Sequence, residues 1–235
     1  MDRLVHGHEL LDGPLDDEAA LAGNLRDLAR INRWLGGVGL SRRALEVLVG
    51  RAFPDGLPPA VDLLDVGTGG ADIPAALVDR GLVGSAVRAT AVDVRPEVVR
   101  AARRRIGDRP IDIRVADGQA LPFGDGAFDL AHASLVLHHL EADAAIALLG
   151  EMSRVARIGV VVNDLDRARI HWLGAWLIGH LMTSNRLTRA DAPTSVRRAW
   201  TRPEMRGLLD RAGLRPVAEA GGLLGHRYAI AAERR

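Results

Sequence analysis

The chain of 235 residues contains no cysteine and no lysine. Without cysteine there is no thiolate nucleophile, no thiolate metal site and no disulfide. Without lysine, all 31 basic residues are arginine, a usage that follows an Ala-, Gly- and Arg-rich codon bias and carries little mechanism. The 30 acidic residues leave a net charge of +1, which removes the electrostatic case for nucleic acid. Aromatic residues are only 3% of the chain, too few for a base-stacking stripe. Long hydrophobic runs are lacking as well. The longest, Ile170 to Met182, is too short to span a bilayer and contains His171 and His180. Met1-Asp2-Arg3-Leu4-Val5-His6 has no apolar signal core. A cytoplasmic protein with no membrane span and no nucleic-acid partner is expected.

Hydrophobic residues, at 48%, are enough for a sizeable core, and the length suits one α/β domain. Glu18 to Leu35 is expected to be helical, with Leu21, Leu25, Leu28, Ile31 and Leu35 at helical spacing. Gly36-Gly37 should stop it, and Ser41 should cap a second helix to Arg51. From Val61 onward, apolar strands alternate with helices, the pattern of a parallel sheet covered on both faces. Leu165 to Leu187 reads as an inserted helix, and Asp191 to Trp200 as a loop around Pro193. Thr201 with Glu204 and Pro203 forms a capping box for a further helix, ended by Gly213. Two last strands follow, Leu214 to Glu219 and His226 to Ala232.

The most informative stretch is Asp65-Val66-Gly67-Thr68-Gly69-Gly70. It joins a buried strand to a helix through a turn whose glycines let backbone N–H groups approach a ligand. Such a turn at the carboxyl end of a parallel strand is where open α/β sheets bind nucleoside cofactors. Asp93 ends a second strand, where an acid can take both hydroxyls of a ribose. Asp117 is expected to end a third, where an acid can accept from an adenine amino group. Asp65 can support the turn or meet an ammonium through water. A dinucleotide fingerprint would place a third glycine where Asp72 stands, and a carboxylate there would repel a pyrophosphate.

These residues, with Gly118, Leu121-Pro122-Phe123 and the block from Phe128-Asp129 to His138-His139, resemble the class I S-adenosylmethionine-dependent methyltransferases. The match covers about residues 60–160 and is most similar to the small-molecule branch that includes the ubiquinone and menaquinone biosynthesis enzymes. It implies a Rossmann-like, doubly wound seven-stranded sheet with a parallel core and an antiparallel edge hairpin. It also implies a helical N-terminal cap (1–58), a cofactor-binding core (60–163), an inserted helical cap (164–200) and a C-terminal helix and hairpin (201–235).

The cofactor set implied is Asp65, Gly67, Thr68, Gly69, Asp93, Val94, Asp117, Gly118 and Ser134. Gly118 departs from the small side chain, such as alanine, more usual at that position. His138 or His139 is a candidate base, since a phenol or amine acceptor benefits from a group titrating near neutrality. Arg33, Trp34, Asn163, Trp172 and Trp176 are candidate substrate contacts. The alternative for Trp172 and Trp176 is a homodimer interface, since an apolar stripe at this spacing is more often packing than pocket. No acid stands at the tip of the fourth strand to complete a metal site of the catechol type, so no metal is expected. No Asn/Asp-Pro-Pro-aromatic sequence follows that strand, as base amino-methylation would need. A small phenolic, quinone-like or polyketide acceptor, methylated at oxygen or carbon, fits best. The other reading is a cofactor-binding regulator that has lost transfer.

Overall fold

The computed structural model describes residues 1–14 and 17–235. Among these, seven strands form one sheet: β1 (Ala60–Val66), β2 (Ala86–Asp93), β3 (Ile111–Val115), β4 (Phe128–Ser134), β5 (Ala156–Leu165), β6 (Leu214–Gly221) and β7 (Arg227–Arg234). Their order is β3-β2-β1-β4-β5-β7-β6. The first five are parallel, and β7 runs antiparallel between β5 and β6. This is the doubly wound sheet with an antiparallel edge pair read from the sequence. Strand order reverses at β1, between β2 and β4, so the carboxyl end of β1 opens at the switch point of the sheet.

Alternation along β1 sends Val61 and Leu63 into one core cluster and Leu64 and Val66 into another, on opposite faces. The first face is covered by α2 (Gly37–Ala52), α3 (Asp72–Arg80) and α4 (Pro96–Ile106), through residues such as Leu45, Leu48, Leu77 and Val99. The second is covered by α5 (Ala142–Val155) and α8 (Arg202–Arg211), through Leu148, Met152, Met205 and Leu208. Three further helices, α1 (Glu18–Trp34), α6 (Arg169–Leu181) and α7 (Arg186–Arg198), stand over the carboxyl ends of the strands. No helix among the described residues is long and apolar enough to cross a membrane.

Four elements differ from the sequence reading. The helix read over Leu165 to Leu187 is instead the end of β5, helix α6 (Arg169–Leu181) and the first residues of α7. Helix α2 begins at Gly37, with Gly36 in the left-handed conformation as its cap. Ser41 therefore lies inside the helix, and its hydroxyl bonds His132 and Asn163 rather than capping. Strand β3 stops at Val115, which leaves Asp117 in the following turn. The segment 191–200, expected as a loop, is mostly helix α7, with Pro193 inside it. Proline in a helix interior costs about 3 kcal/mol. Tertiary contacts offset this: Asn185 caps the helix by accepting from Leu187 and Thr188 N–H, and Asp191, Ser195 and Arg198 are buried against the N-terminal segment. The Thr201–Glu204 capping box of α8 is formed as read.

Candidate functional site

A cavity of about 860 Å³ lies over the switch point, a volume suited to a drug-sized ligand or larger. Gly67, Thr68, Gly69, Asp93, Val94, Asp117, Gly118 and Ser134 all line it. The turn after β1 is tied to the end of β2, with Thr68 N–H donating to the Val92 carbonyl (2.9 Å). Gly67 has φ +67°, and a Cβ there would stand 2.5 Å from Val136 Cγ2, so only glycine fits. Gly69 N–H donates to Asp93 Oδ2 (3.1 Å) and Arg95 N–H donates to Oδ1 (3.0 Å). Asp93 thereby ties the turn to the end of β2 and keeps lone pairs for a further donor. Burial pushes its carboxyl above the usual range, while the two N–H donors pull it back.

The Thr68 hydroxyl is buried at the cavity and has no partner among the described residues, an orphan that a ligand would satisfy. Gly118 has a steric reason to be glycine. A Cβ there would meet Val66 Cγ1 at 2.8 Å and Leu148 Cδ1 at 2.9 Å.

Asp65 is not at the cavity. Its Oδ1 accepts from His132 Nδ1 at 2.5 Å, beneath the turn. From His132 a buried polar chain continues: Nε2 to Ser41 Oγ (2.7 Å), and Asn163 Nδ2 to the same hydroxyl (2.7 Å). Arg227 Nε then donates to Asn163 Oδ1 (2.6 Å), and its other nitrogens to Asn32 Oδ1 and Ser134 Oγ (both 2.6 Å). Asn32 in turn donates to Asp72 Oδ2 (3.0 Å). Asn163, read as a substrate contact at the tip of β5, is thus wholly buried under α2. Arg227, buried and facing neutral partners, was not singled out in the sequence, where an arginine in a late strand carries no signal.

The other candidate substrate residues also lie off the cavity. Trp34 is 71% exposed and Arg33 is exposed beside it. On α6, Ile170, Leu173, Gly174, Leu177 and Ile178 line the cavity, one helical stripe at i, i+3, i+4, i+7 and i+8. Trp172 and Trp176 fall off that stripe, and Trp176 stacks on His180 instead.

His138 and His139, in a short 3-10 turn after β4, do line the cavity. His138 Nδ1 donates to Asp164 Oδ1 (2.7 Å) and His139 Nδ1 to Asp12 Oδ1 (2.9 Å). Each ring is therefore held with Nε2 free. The two Nε2 atoms stand 3.8 Å from Glu9 Oε1 and Oε2 respectively. Burial pushes the Glu9 carboxyl up to about 7, against the pull of His139, Ser195 and Arg198. Burial also raises Asp12, but His139 and Arg198 outweigh it and hold its carboxyl far below the usual range. Glu9 and Asp12 belong to an N-terminal segment without periodicity, so the sequence held no signal for them. His226, another residue not foreseen, lines the cavity with both ring nitrogens buried and unpartnered among the described residues, and burial lowers its pKa.

Residues 64–162 match the model of a methyltransferase domain family. No curated protein sequence matches the chain. An S-adenosylmethionine-dependent methyltransferase from Aquifex aeolicus is structurally similar, at 19% identity and TM-score 0.61 over 90% of this chain and 97% of that one. Magnesium protoporphyrin IX methyltransferase from Synechocystis, solved with bound S-adenosylhomocysteine, matches at 16% identity and TM-score 0.56 over 83% of each chain. Mitomycin 7-O-methyltransferase matches at 22% identity and TM-score 0.57 over 87% of this chain and 56% of that one. At these identities the likeness establishes the fold. Residues 64–162 therefore carry a methyltransferase domain, set in the Rossmann-like fold that these structures share. That domain marks the protein as a methyltransferase enzyme with S-adenosylmethionine as its cofactor.

Proposed function

We propose that the enzyme methylates an oxygen, or an activated carbon, of a small phenolic, quinone-like or polyketide metabolite in the cytoplasm. One observation carries this: a single cavity is lined by the glycine turn, Asp93 and Asp117 together with His138, His139 and the apolar stripe of α6. In this reading Asp93 takes the ribose hydroxyls, and Val94, Asp117 and Gly118 flank the adenine. Gly67, Thr68, Gly69 and Ser134 hold the methionine end, with Asp65 bracing the turn from beneath. Residues 1–58 and 164–200 act as caps over the core of 60–163, and 201–235 complete the sheet.

Methyl transfer from a sulfonium is an in-line displacement whose leaving group is already activated, so alignment and exclusion of water are the main tasks. The acceptor oxygen still has to lose its proton. His138 and His139 are the activating groups for it, and His226 offers a further polar contact to an otherwise apolar acceptor.

Calorimetric titration with S-adenosylhomocysteine, and with NADH as a control, tests the cofactor end. Release of S-adenosylhomocysteine from S-adenosylmethionine over a panel of phenols and enolizable ketones tests the acceptor end. Binding with turnover on such acceptors supports the reading. Binding without turnover on any acceptor favours a regulator that has lost transfer.

A further inference from the structure

We propose that Glu9, His138 and His139 form a binding site for a divalent first-row transition-metal ion at the acceptor end of the cavity. The donor atoms converge. Glu9 Oε1 is 3.8 Å from His138 Nε2, Glu9 Oε2 is 3.8 Å from His139 Nε2, and the three donors lie within 4.8 Å of one another. Metal–ligand bonds of about 2.0–2.2 Å put neighbouring donors of a tetrahedral ion roughly 3.4 Å apart. Against that spacing the two Glu9–histidine pairs close by about 0.4 Å, and no pair of donors by more than about 1.4 Å.

A second observation is independent of that convergence. Both histidines have Nδ1 tied to a carboxylate, His138 to Asp164 and His139 to Asp12. This is the outer-layer arrangement that fixes a metal-ligating imidazole in the tautomer with a free Nε2. The local charge agrees. Glu9, Asp12 and Asp164 contribute three carboxylates, and Arg198, on Glu9 and Asp12, is the guanidinium in contact with them. Buried charge needs a partner, and the excess of carboxylates here, to which Asp191 adds, favours a cation. Two imidazoles with one carboxylate suit zinc, manganese, iron or cobalt rather than magnesium or calcium.

The site is assembled from the N-terminal segment and the turn after β4, not from the strand tips, which is why no metal was read in the sequence. It deepens the reading that this end of the cavity activates the acceptor, because an ion with an open position lowers the pKa of an oxygen bound to it. Binding itself does not depend on that reading.

The test uses the full-length, untagged protein, freed of metal by a chelator and titrated with Co²⁺ by visible absorbance and with Zn²⁺ by calorimetry. S-adenosylhomocysteine affinity is measured on the same samples. One ion per chain is expected, with a Co²⁺ ligand-field band. Glu9→Gln keeps the shape and the Ser195 bond and should weaken the ion by at least about tenfold, as should His139→Ala. Folding of both variants is checked by circular dichroism, and their S-adenosylhomocysteine affinity should be unchanged. No saturable binding by the native chain, or equal binding by Glu9→Gln, overturns the site. Loss of S-adenosylhomocysteine binding in all samples with Co²⁺ binding intact would overturn the cofactor reading and leave the metal site standing.

Discussion

At the scale of single residues, the cavity separates acids that look alike in sequence. Asp65 and Asp93 both close a buried strand, yet Asp65 is spent on His132 and Asp93 faces the cavity. Asp93→Ala removes the acceptor for Gly69 and Arg95 N–H and, in the proposed reading, for the ribose. The expected loss in S-adenosylhomocysteine affinity is about 1.5–3 kcal/mol, tenfold or more, read by calorimetry. An unchanged affinity would remove Asp93 from the ribose. Gly67, Gly69, Asp93 and Asp117 were legible because their spacing follows from the strand–turn–helix repeat. Asn163 was misplaced because a strand-end residue gives no sign of whether a helix covers it, and here α2 does, whereas Asp65 lies beneath the turn, in keeping with the supporting role read for it. Glu9, Asp12 and His226 were invisible for a different reason. Glu9 and Asp12 sit where no periodicity exists, His226 stands immediately before β7, and only the tertiary fold brings them to the site.

At the scale of elements, the N-terminal segment is held in place by hydrogen bonds rather than by a core of its own. Asp191 on α7 accepts from Leu10 N–H (2.7 Å) and Leu11 N–H (3.0 Å). Arg95 reaches across from α4 to the carbonyls of Leu11 and Gly13. The loop reading of 191–200 failed because proline lowers local helix propensity, whereas these long-range bonds favour the helix regardless. Two consequences follow from one carboxylate. Asp191→Ala should loosen the segment that carries Glu9 while leaving the strands untouched. Hydrogen exchange over residues 4–13 should quicken by about ten- to a hundredfold, as expected for a lost bond to a charged acceptor, with β1 and β4 as internal references. Equal exchange in variant and native chains would mean that Arg95 and the backbone bond from Leu4 to Arg197 suffice to hold it.

At the scale of the whole molecule, the absences that open the sequence make its alkaline behaviour simple. There is no lysine and no cysteine, and the chain has one tyrosine. That residue, Tyr228, lies fully buried in β7 and donates its hydroxyl to the Trp200 carbonyl at 3.1 Å. Burial raises its pKa well above the ordinary value, and Asp164, Asp166, Glu204 and Glu219 raise it further. A group whose folded pKa is raised contributes stability below its unfolded pKa and loses it as pH rises beyond. The fold should therefore lose up to about 1.4 kcal/mol per pH unit above about pH 10 from this phenol. Arg227 works with the opposite sign, since burial lowers its pKa, with Asp164 and Asp72 opposing that. Comparison with Tyr228→Phe isolates the phenol from it. Near neutrality the variant should be less stable by about 0.5–1.5 kcal/mol, the worth of the lost hydrogen bond. The two denaturation curves should cross roughly one unit above the free phenol's pKa of about 10, beyond which the variant is the more stable. Phenolate absorbance, which here reports a single residue, should appear together with the loss of helical circular dichroism. Its appearance in the folded protein would show that the hydroxyl reaches solvent without unfolding.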